Sequence, residues 1–318
     1  MKVSVIIPLF NQEQSVERAV RSALQQTETA EVIVIDDGSQ DLGSERVRKI
    51  LAEDERLKIV EHENGQRFGV STTRNYGARL AQYPYLAFLD ADDYFLPDRF
   101  AETKKVFENN PDAEAVCEAL GAEAADHVTM LSKPIESDRL FFEMEPFGKS
   151  GYFSVCALTV KAHVFRETGG FSELLESAED TEWLARLVLN HRVMHGKLNK
   201  CVAMRGKPDG RVRDSKKVLE NKTLMVASLI KWAAKEPKSA EVLTVLTDLY
   251  LKYHYEENRL FSKRSRWSKK RIDFEALLFL LKTNRRFINL PKVRYFAKTV
   301  LGLPVKRHLD YYRPSAEE

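Results

Sequence analysis

The first hundred residues alternate between two patterns. Val3-Ser4-Val5-Ile6-Ile7, Val32-Ile33-Val34-Ile35, Leu57 to His62 and Tyr85 to Leu89 are short apolar runs. They lack strict polar alternation, which is the form of strands covered on both faces. Between them, Ser15 to Gln26 sets Val16, Ala19, Val20, Ala23 and Leu24 on one helical face, and Ser71 to Ala81 also reads as a helix. Buried runs separated by helices predict an α/β fold with a Rossmann-like, mainly parallel sheet and helices on both faces. Ligands of such sheets gather beyond the strand carboxyl ends. Here those ends carry Pro8–Asn11, Asp36–Ser39 and Asp90–Asp93.

The pattern changes further along. Residues 119–150, with Gly121, Pro134, Pro146 and Gly148, are less regular and read as a flexible or partner-specific loop region. Phe153 to Lys161 reads as a strand, and Thr181 to Leu189 as a helix with Trp183, Leu184, Leu187 and Val188 inward. Beyond about residue 214 strand signals stop, and Val218 to Trp232, Val242 to Tyr255 and Phe274 to Leu281 carry helical periodicity. The expected division is a sheet domain over 1–214 and a helical C-terminal module over 215–318.

Charge sharpens that division. The net charge is only +3, but Lys252 to Arg313 holds 17 Lys/Arg against five Asp/Glu, behind an acidic body. Such a tail suits an anionic partner or a solvated helical surface. Arg259 to Arg271 mixes cations with Phe261 and Trp267, a composition suited to an anionic membrane surface. No nucleic-acid motif accompanies it, so nucleic acid is not the expected partner. Cys117, Cys156 and Cys201 match no metal spacing and read as reduced thiols in or near a core. Val3 to Phe10 is short, contains Pro8 and lacks a cleavage site, and the longest apolar stretch falls well below the roughly 18–20 residues of a membrane span. The expectation is a cytoplasmic protein, at most peripheral at the inner face of a membrane.

Three acidic motifs carry the candidate chemistry. Asp90-Ala91-Asp92-Asp93 closes a buried strand, and carboxylates there suit a hard cation such as Mg²⁺ or Mn²⁺, usually shared with substrate phosphates. Alone it also fits a structural loop or a Ca²⁺ site. Asp36-Asp37-Gly38-Ser39 alone fits a turn, and Glu179-Asp180 alone fits the acidic first turn of a helix.

Taken in order, the chain resembles a family 2 glycosyltransferase of the GT-A fold. The resemblance rests on Val3–Asn11, Val34–Ser39, Thr73-Arg74-Asn75, Phe88–Asp93, Gly169-Gly170-Phe171 and Ala178–Trp183, and covers about residues 1–205. It implies an inverting enzyme moving one sugar from a nucleotide sugar, a UDP-sugar above all, to a glycan or lipid-linked acceptor. Pro8, Phe10, Asn11 and Glu13 then form a nucleotide wall, Asp37 bonds the base, and Arg74 lies beside base and diphosphate. Asp92 binds the metal, Asp90 contacts ribose or metal, and Asp93 supports them. Asp180 is the catalytic base, since an acceptor hydroxyl needs a positioned carboxylate to take its proton. Glu179 orients Asp180 or meets the acceptor; Trp183 stacks on an acceptor sugar or fills the core.

Two departures qualify the resemblance. Where many relatives carry an aromatic-Arg-x-His segment, this chain has Ala203-Met204-Arg205-Gly206-Lys207, so Arg205 or Lys207 is left to meet the diphosphate. The Gln-x-x-Arg-Trp motif of processive relatives is also missing there, which implies single addition. The missing histidine keeps a second reading, a catalytically degenerate sugar-nucleotide or glycan binder. A nucleotidyltransferase would need a Gly-rich phosphate loop that the chain lacks.

Overall fold

The structure is a computed structural model, and it describes residues 1–123, 137–148, 153–206, 214–235, 238–261, 276–283, 293 and 297. Its contacts divide the chain into two compact units, Met1–Asp214 and Ser215–Glu318.

The first unit begins β1 (Val3–Leu9), α1 (Val16–Leu24), β2 (Thr29–Asp36), α2 (Gly43–Leu51), β3 (Leu57–Glu61), α3 (Val70–Leu80) and β4 (Tyr85–Phe88). It continues with β5 (Tyr94–Phe95), α4 (Ala101–Asn109), β6 (Ala115–Cys117), β7 (Ala119–Ala122) and α5 (Ser137–Glu143). It closes with β8 (Leu158–Lys161), α6 (Ala162–Glu167), α7 (Glu179–Asn190), β9 (Val193–His195) and β10 (Cys201–Arg205). A seven-stranded sheet runs β3-β2-β1-β4-β8-β6-β9, and a three-stranded one runs β5-β10-β7. The first four strands are parallel, with Ile6 beside both Ile33 and Phe88. β8 enters antiparallel between β4 and β6. Val5, Ile6, Ile7, Val32, Ile33, Val34 and Ile35 are all fully buried, so the runs are apolar because neither face of these strands meets water. α3 lies so close to the sheet that a Cβ on Gly77 would stand 2.5 Å from Ile6 Cγ2.

The expected four strands, the α1 and α3 helices and the α7 helix all appear. Several short elements carry no sequence signal. α2 buries only Val47 and Ile50 among its large apolar residues, too few to set a period. Ala119–Ala122, expected to be irregular, is a strand, because the parallel pairing with β10 draws on backbone groups that any sequence carries. The strand expected from Phe153 starts only at Leu158. Before it, the Ser154 hydroxyl accepts from Cys156 N (3.3 Å) and winds Val155–Ala157 into a 3₁₀ turn.

The second unit holds α8 (Ser215–Lys235), α9 (Ala240–Phe261) and a helical stretch over 276–283. Thr223, near the start of α8, donates to Glu257, near the end of α9 (3.4 Å), so these helices run antiparallel. Their core is Met225, Val226, Leu229, Ile230, Leu246 and Leu251, with Ala276, Leu277 and Leu280. The side chains of the basic segment Arg259 to Arg271 lie outside the described residues. No helix of the described residues is long and apolar enough to cross a membrane.

Candidate active site

The carboxyl ends of β1, β2 and β4 share one edge of the sheet: Leu9 pairs with Asp36, and Leu89 N bonds Ile6 O (3.0 Å). Two arrangements of acids form there.

Beyond β1 and β2 the acids organise loops. Asn11 sits in the left-handed region (φ 51°), donates its N–H to Ser39 Oγ (3.1 Å) and accepts from Gln40 N (2.8 Å). Asp36 accepts from Ser39 N (2.9 Å) and the Ser44 hydroxyl. Glu13 accepts from Leu42 N (3.1 Å), while its own N–H reaches Asp41 (2.8 Å). Asp37, buried, accepts from Phe68 N (2.6 Å) and Gly69 N (3.0 Å), so it holds the entry to α3. Phe10 lies under the Arg67 guanidinium at 4.0 Å. Pro8, Phe10 and Glu13 are part-exposed and Asn11 exposed, on the edge where a nucleotide wall is expected.

The motifs on α3 interlock with the segment before α7. Asn75 donates to Phe171 O (2.9 Å) and accepts from Phe171 N (2.9 Å). The turn it clamps passes through Gly169 (φ 77°) and Gly170 (φ 65°), and a Cβ on Gly170 would stand 2.5 Å from Asn75 Oδ1. Glycine is required there for both its backbone angle and its missing side chain.

Around β4 and α7 two acids share one buried cation. Arg74, on α3, is 4% exposed. Its Nη2 donates to Asp90 Oδ1 (2.5 Å) and its Nη1 to Glu179 Oε1 (2.8 Å). Burial alone would weaken its charge, but Asp90, Glu179 and Asp180 outweigh that and hold its pKa above the ordinary arginine value. Glu179 is raised, by burial first and then by Asp180, with Arg74 opposing. The cause is physical: two acids share one guanidinium, so both act to hold its charge. Asp180 is part-exposed, and its Oδ1 accepts from Thr181 N (2.7 Å). Ala178, just before it, takes a left-handed backbone (φ 63°), which costs about 1–2 kcal/mol for a residue with a Cβ.

In the Asp90–Asp93 turn, Asp93 N bonds Asp90 O (3.0 Å) and the Asp92 carbonyl accepts from Arg18 (3.5 Å). Asp93 is buried and accepts from Gly206 N (3.0 Å) and the Cys156 thiol (3.3 Å). Its carboxyl is pushed up to about 7, by burial first and then by Asp90 and Asp92. Cys156 is raised well above the ordinary thiol value, chiefly by burial. Donor atoms of Asp90, Asp93 and Cys156 lie within 4.8 Å of one another. Carboxylate oxygens gathered in this way fit a hard divalent cation.

The structure bears on three of the expected residues. Trp183 is fully buried among Phe88, Phe165 and Phe171, with its Nε1 donating to Thr168 Oγ1 (2.8 Å). It is a core residue and offers no face to an acceptor sugar. Glu179 is buried and turns inward to Arg74, not outward toward an acceptor. Arg74 has both Nη groups on acids at the bottom of the site, away from solvent. Arg205 is exposed at the end of β10, while Lys207 lies outside the described residues. Gly206 was not among the expected residues. A Cβ there would stand 2.0 Å from Asp92 O, so β10 comes down on the acidic turn only because residue 206 has no side chain. The composition around it carries no signal for this, because the approach is between segments 113 positions apart.

The sequence profile described as glycosyl transferase family 2 matches residues 4–165, just over half of the chain. The chain belongs to glycosyl transferase family 2. The matched region runs from β1 into α6 and stops before Glu179 and Asp180. An "uncharacterized glycosyltransferase" of Haemophilus influenzae is 31% identical over 189 residues, 58% of this chain and 62% of the relative. The succinoglycan biosynthesis protein ExoU of Rhizobium meliloti is 38% identical over 100 residues, 31% of this chain and 29% of its own. The chain thus spans less than two thirds of the length of these relatives. Among solved structures, S. aureus TarS 1–349 in complex with UDP-GlcNAc superposes with a TM-score of 0.66 at 20% identity, covering 94% of this chain and 88% of that one. The mannosyltransferase PcManGT of Pyrobaculum calidifontis, in complex with GDP-Man and Mn²⁺, gives 0.55 at 17% identity, covering 94% and 84%. At these identities the likeness is one of fold, and it is the GT-A fold that the family 2 motifs imply.

Proposed function

We propose that this family 2 member transfers a single sugar from a nucleoside diphosphate sugar to a hydroxyl of a glycan or lipid-linked acceptor, with inversion. One observation carries the reading: Asp90, from the end of β4, and Glu179, beside Asp180 on α7, are drawn onto the same buried guanidinium. Donor-side and acceptor-side carboxylates thereby share one cleft edge. Asp180 takes the acceptor proton as the acceptor oxygen bonds the anomeric carbon. The bond from that carbon to the diphosphate oxygen breaks on the opposite face, and the nucleoside diphosphate leaves. Asp92 and Asp90 would hold Mg²⁺ or Mn²⁺, which when bound supplies Lewis-acid stabilisation of the leaving diphosphate. Pro8, Phe10, Asn11 and Glu13 line the nucleotide. Asp37 retains acceptor capacity for the N–H edge of a base, since a carboxylate has about four lone-pair positions. That edge chemistry, and the UDP-GlcNAc bound by TarS, make uridine nucleotides the first donors to try. Arg205 and Lys207 supply cations for the diphosphate.

Thermal shift with nucleoside diphosphates and their sugars, with and without Mn²⁺, tests the donor half. Mn²⁺-dependent stabilisation by one of them is expected, and stabilisation by none sinks the reading. The absence of histidine from Ala203–Lys207 supports a second reading, a sugar-nucleotide binder without turnover. Mn²⁺-dependent binding without slow donor hydrolysis would favour it. For the tail, the basic excess between Lys252 and Arg313 supports contact with an anionic membrane surface beside a lipid-linked acceptor. Co-sedimentation with phosphatidylglycerol vesicles, lost at high salt, is the expected result; no binding at low salt would remove that partner.

A further inference from the structure

Arg74 is the one described residue that touches both acidic groups of the candidate site, and its setting leaves it little freedom. Its side chain is 4% exposed, against 10% for Glu179 and 35% for Asp90. The guanidinium lies over Phe171 at 5.2 Å, and Phe171 is itself clamped by Asn75, the next residue on α3. A planar fork held in this way can meet two carboxylates only if each stays in place. Glu179 is the first residue of α7, and it follows the left-handed Ala178. Strained backbone persists where its surroundings over-determine it, and the Arg74–Glu179 pair is part of that constraint. Asp180 is the next residue along.

We infer that Arg74 and Glu179 are positioning residues that couple cation binding at Asp90 to the placement of Asp180. The inference rests on the proposed roles of Asp90 and Asp180. Arg74 and a divalent cation compete for the negative charge of Asp90. With the cation bound, the hold of Arg74 passes to Glu179, and the first turn of α7 is fixed more firmly. Linkage makes the effect reciprocal: a change at Glu179 must alter the affinity for the cation at Asp90, although Glu179 does not touch it. Without the Glu179 charge, Arg74 pairs with Asp90 alone and opposes the cation more strongly.

Mn²⁺ uptake in the presence of UDP, followed by the loss of the free-ion EPR signal, is the direct test. Glu179→Gln, which keeps shape and removes charge, is expected to weaken Mn²⁺ binding about fivefold or more, the lower range of site-to-site coupling, and, at saturating Mn²⁺, to lower kcat with little change in donor KM. In an Arg74→Met background the same change is expected to have no further effect on Mn²⁺. Should Arg74→Met fail to fold, Arg74→Lys keeps the charge, loses the fork and is expected to halve the coupling or better. Mn²⁺ affinity of Glu179→Gln within twofold of wild type overturns the inference, as does an equal loss in both backgrounds; a purely structural role would lower the melting temperature and leave Mn²⁺ affinity alone. Wild-type protein that takes up no Mn²⁺ overturns the proposed function as well. Full transfer by Asp180→Asn removes Asp180 as the base and, with it, the coupling to that base.

Discussion

Two of the buried arginines of the sheet unit, Arg99 and Arg74, differ in a way that separates scaffold from chemistry. Arg99 is fully buried with Glu118, also fully buried, at 2.7 Å, and Thr103 donates to the same carboxylate oxygen (2.5 Å). One cation meets one acid, and burial lowers the arginine pKa and raises that of Glu118. Arg74 meets two acids and feels a third, and its pKa rises. The first arrangement is closed. Its two charges balance, and a third charged group would find no solvent and no counter-ion. The second is open: Asp90 and Glu179 share Arg74, Asp180 acts on it as well, and Asp90 keeps a third of its surface in water. Excess charge of one sign at a sheet edge marks a place for a ligand of the other sign. Burial of an arginine is therefore uninformative until its partners are counted.

The sharpest way to break the comparison is Asp180→Asn. Transfer is expected to fall by about 10²–10⁴-fold, the usual worth of a positioned base, with donor binding within a few-fold and melting little changed. Equal loss of donor binding would remove it as the base. Arg99→Met should show the reverse signature. Leaving Glu118 buried and unpaired costs about 3–5 kcal/mol, read in chemical denaturation, while any protein that remains folded keeps Mn²⁺-dependent nucleotide binding. A change confined to nucleotide binding would mean that Arg99 belongs to the site after all. Asp92→Ala should weaken Mn²⁺-dependent donor affinity by about tenfold or more, in the range of one lost ligand contact, with stability unaltered; unchanged affinity would mean the cation lies elsewhere in the acidic turn.

Two smaller effects refine the boundary between the regions. Gly206→Ala drives a methyl group against the Asp92 carbonyl, and overpacking of this kind costs about 1–3 kcal/mol. It should also weaken nucleotide binding, since the strain falls on the acidic turn; a loss of stability alone would separate β10 from the site. Trp183→Phe removes the bond to Thr168 and some buried surface. A loss of about 1–2 kcal/mol with unaltered acceptor KM is expected, and a raised KM would restore the tryptophan to the acceptor side.

Legibility followed the range of the forces involved. β1 to β4 were readable because continuous burial leaves a continuous apolar run, and α1, α3 and α7 because one buried face leaves a period. α2 and the strands β5 to β7, β9 and β10 were not: α2 buries only two large apolar residues, and these short strands stand outside the run of alternating strands and helices that made β3 and β4 readable. The acids of the site were readable by position, at strand ends and at a helix start. Their partners were not. Thr73-Arg74-Asn75 and Gly169-Gly170-Phe171 were recognisable as separate motifs, yet nothing local tells that Asn75 clamps Phe171 or that Arg74 faces inward.

The sequence by itself determined that a parallel sheet would bring Pro8–Asn11, Asp36–Ser39 and Asp90–Asp93 to one edge, because strand direction and apolar continuity are local properties. It also determined the surplus of carboxylates there, which is composition. Only the tertiary structure decided that Asp37 and Glu13 bond loop amides, that Trp183 fills the core, and that Gly206 rests on the acidic turn. It alone joined Arg74 to Glu179, 105 positions apart. Such contacts depend on which way a side chain points and on how β8 and α7 pack back against β4. Those are settled by the packing of the whole unit, and a pattern along the chain does not contain them.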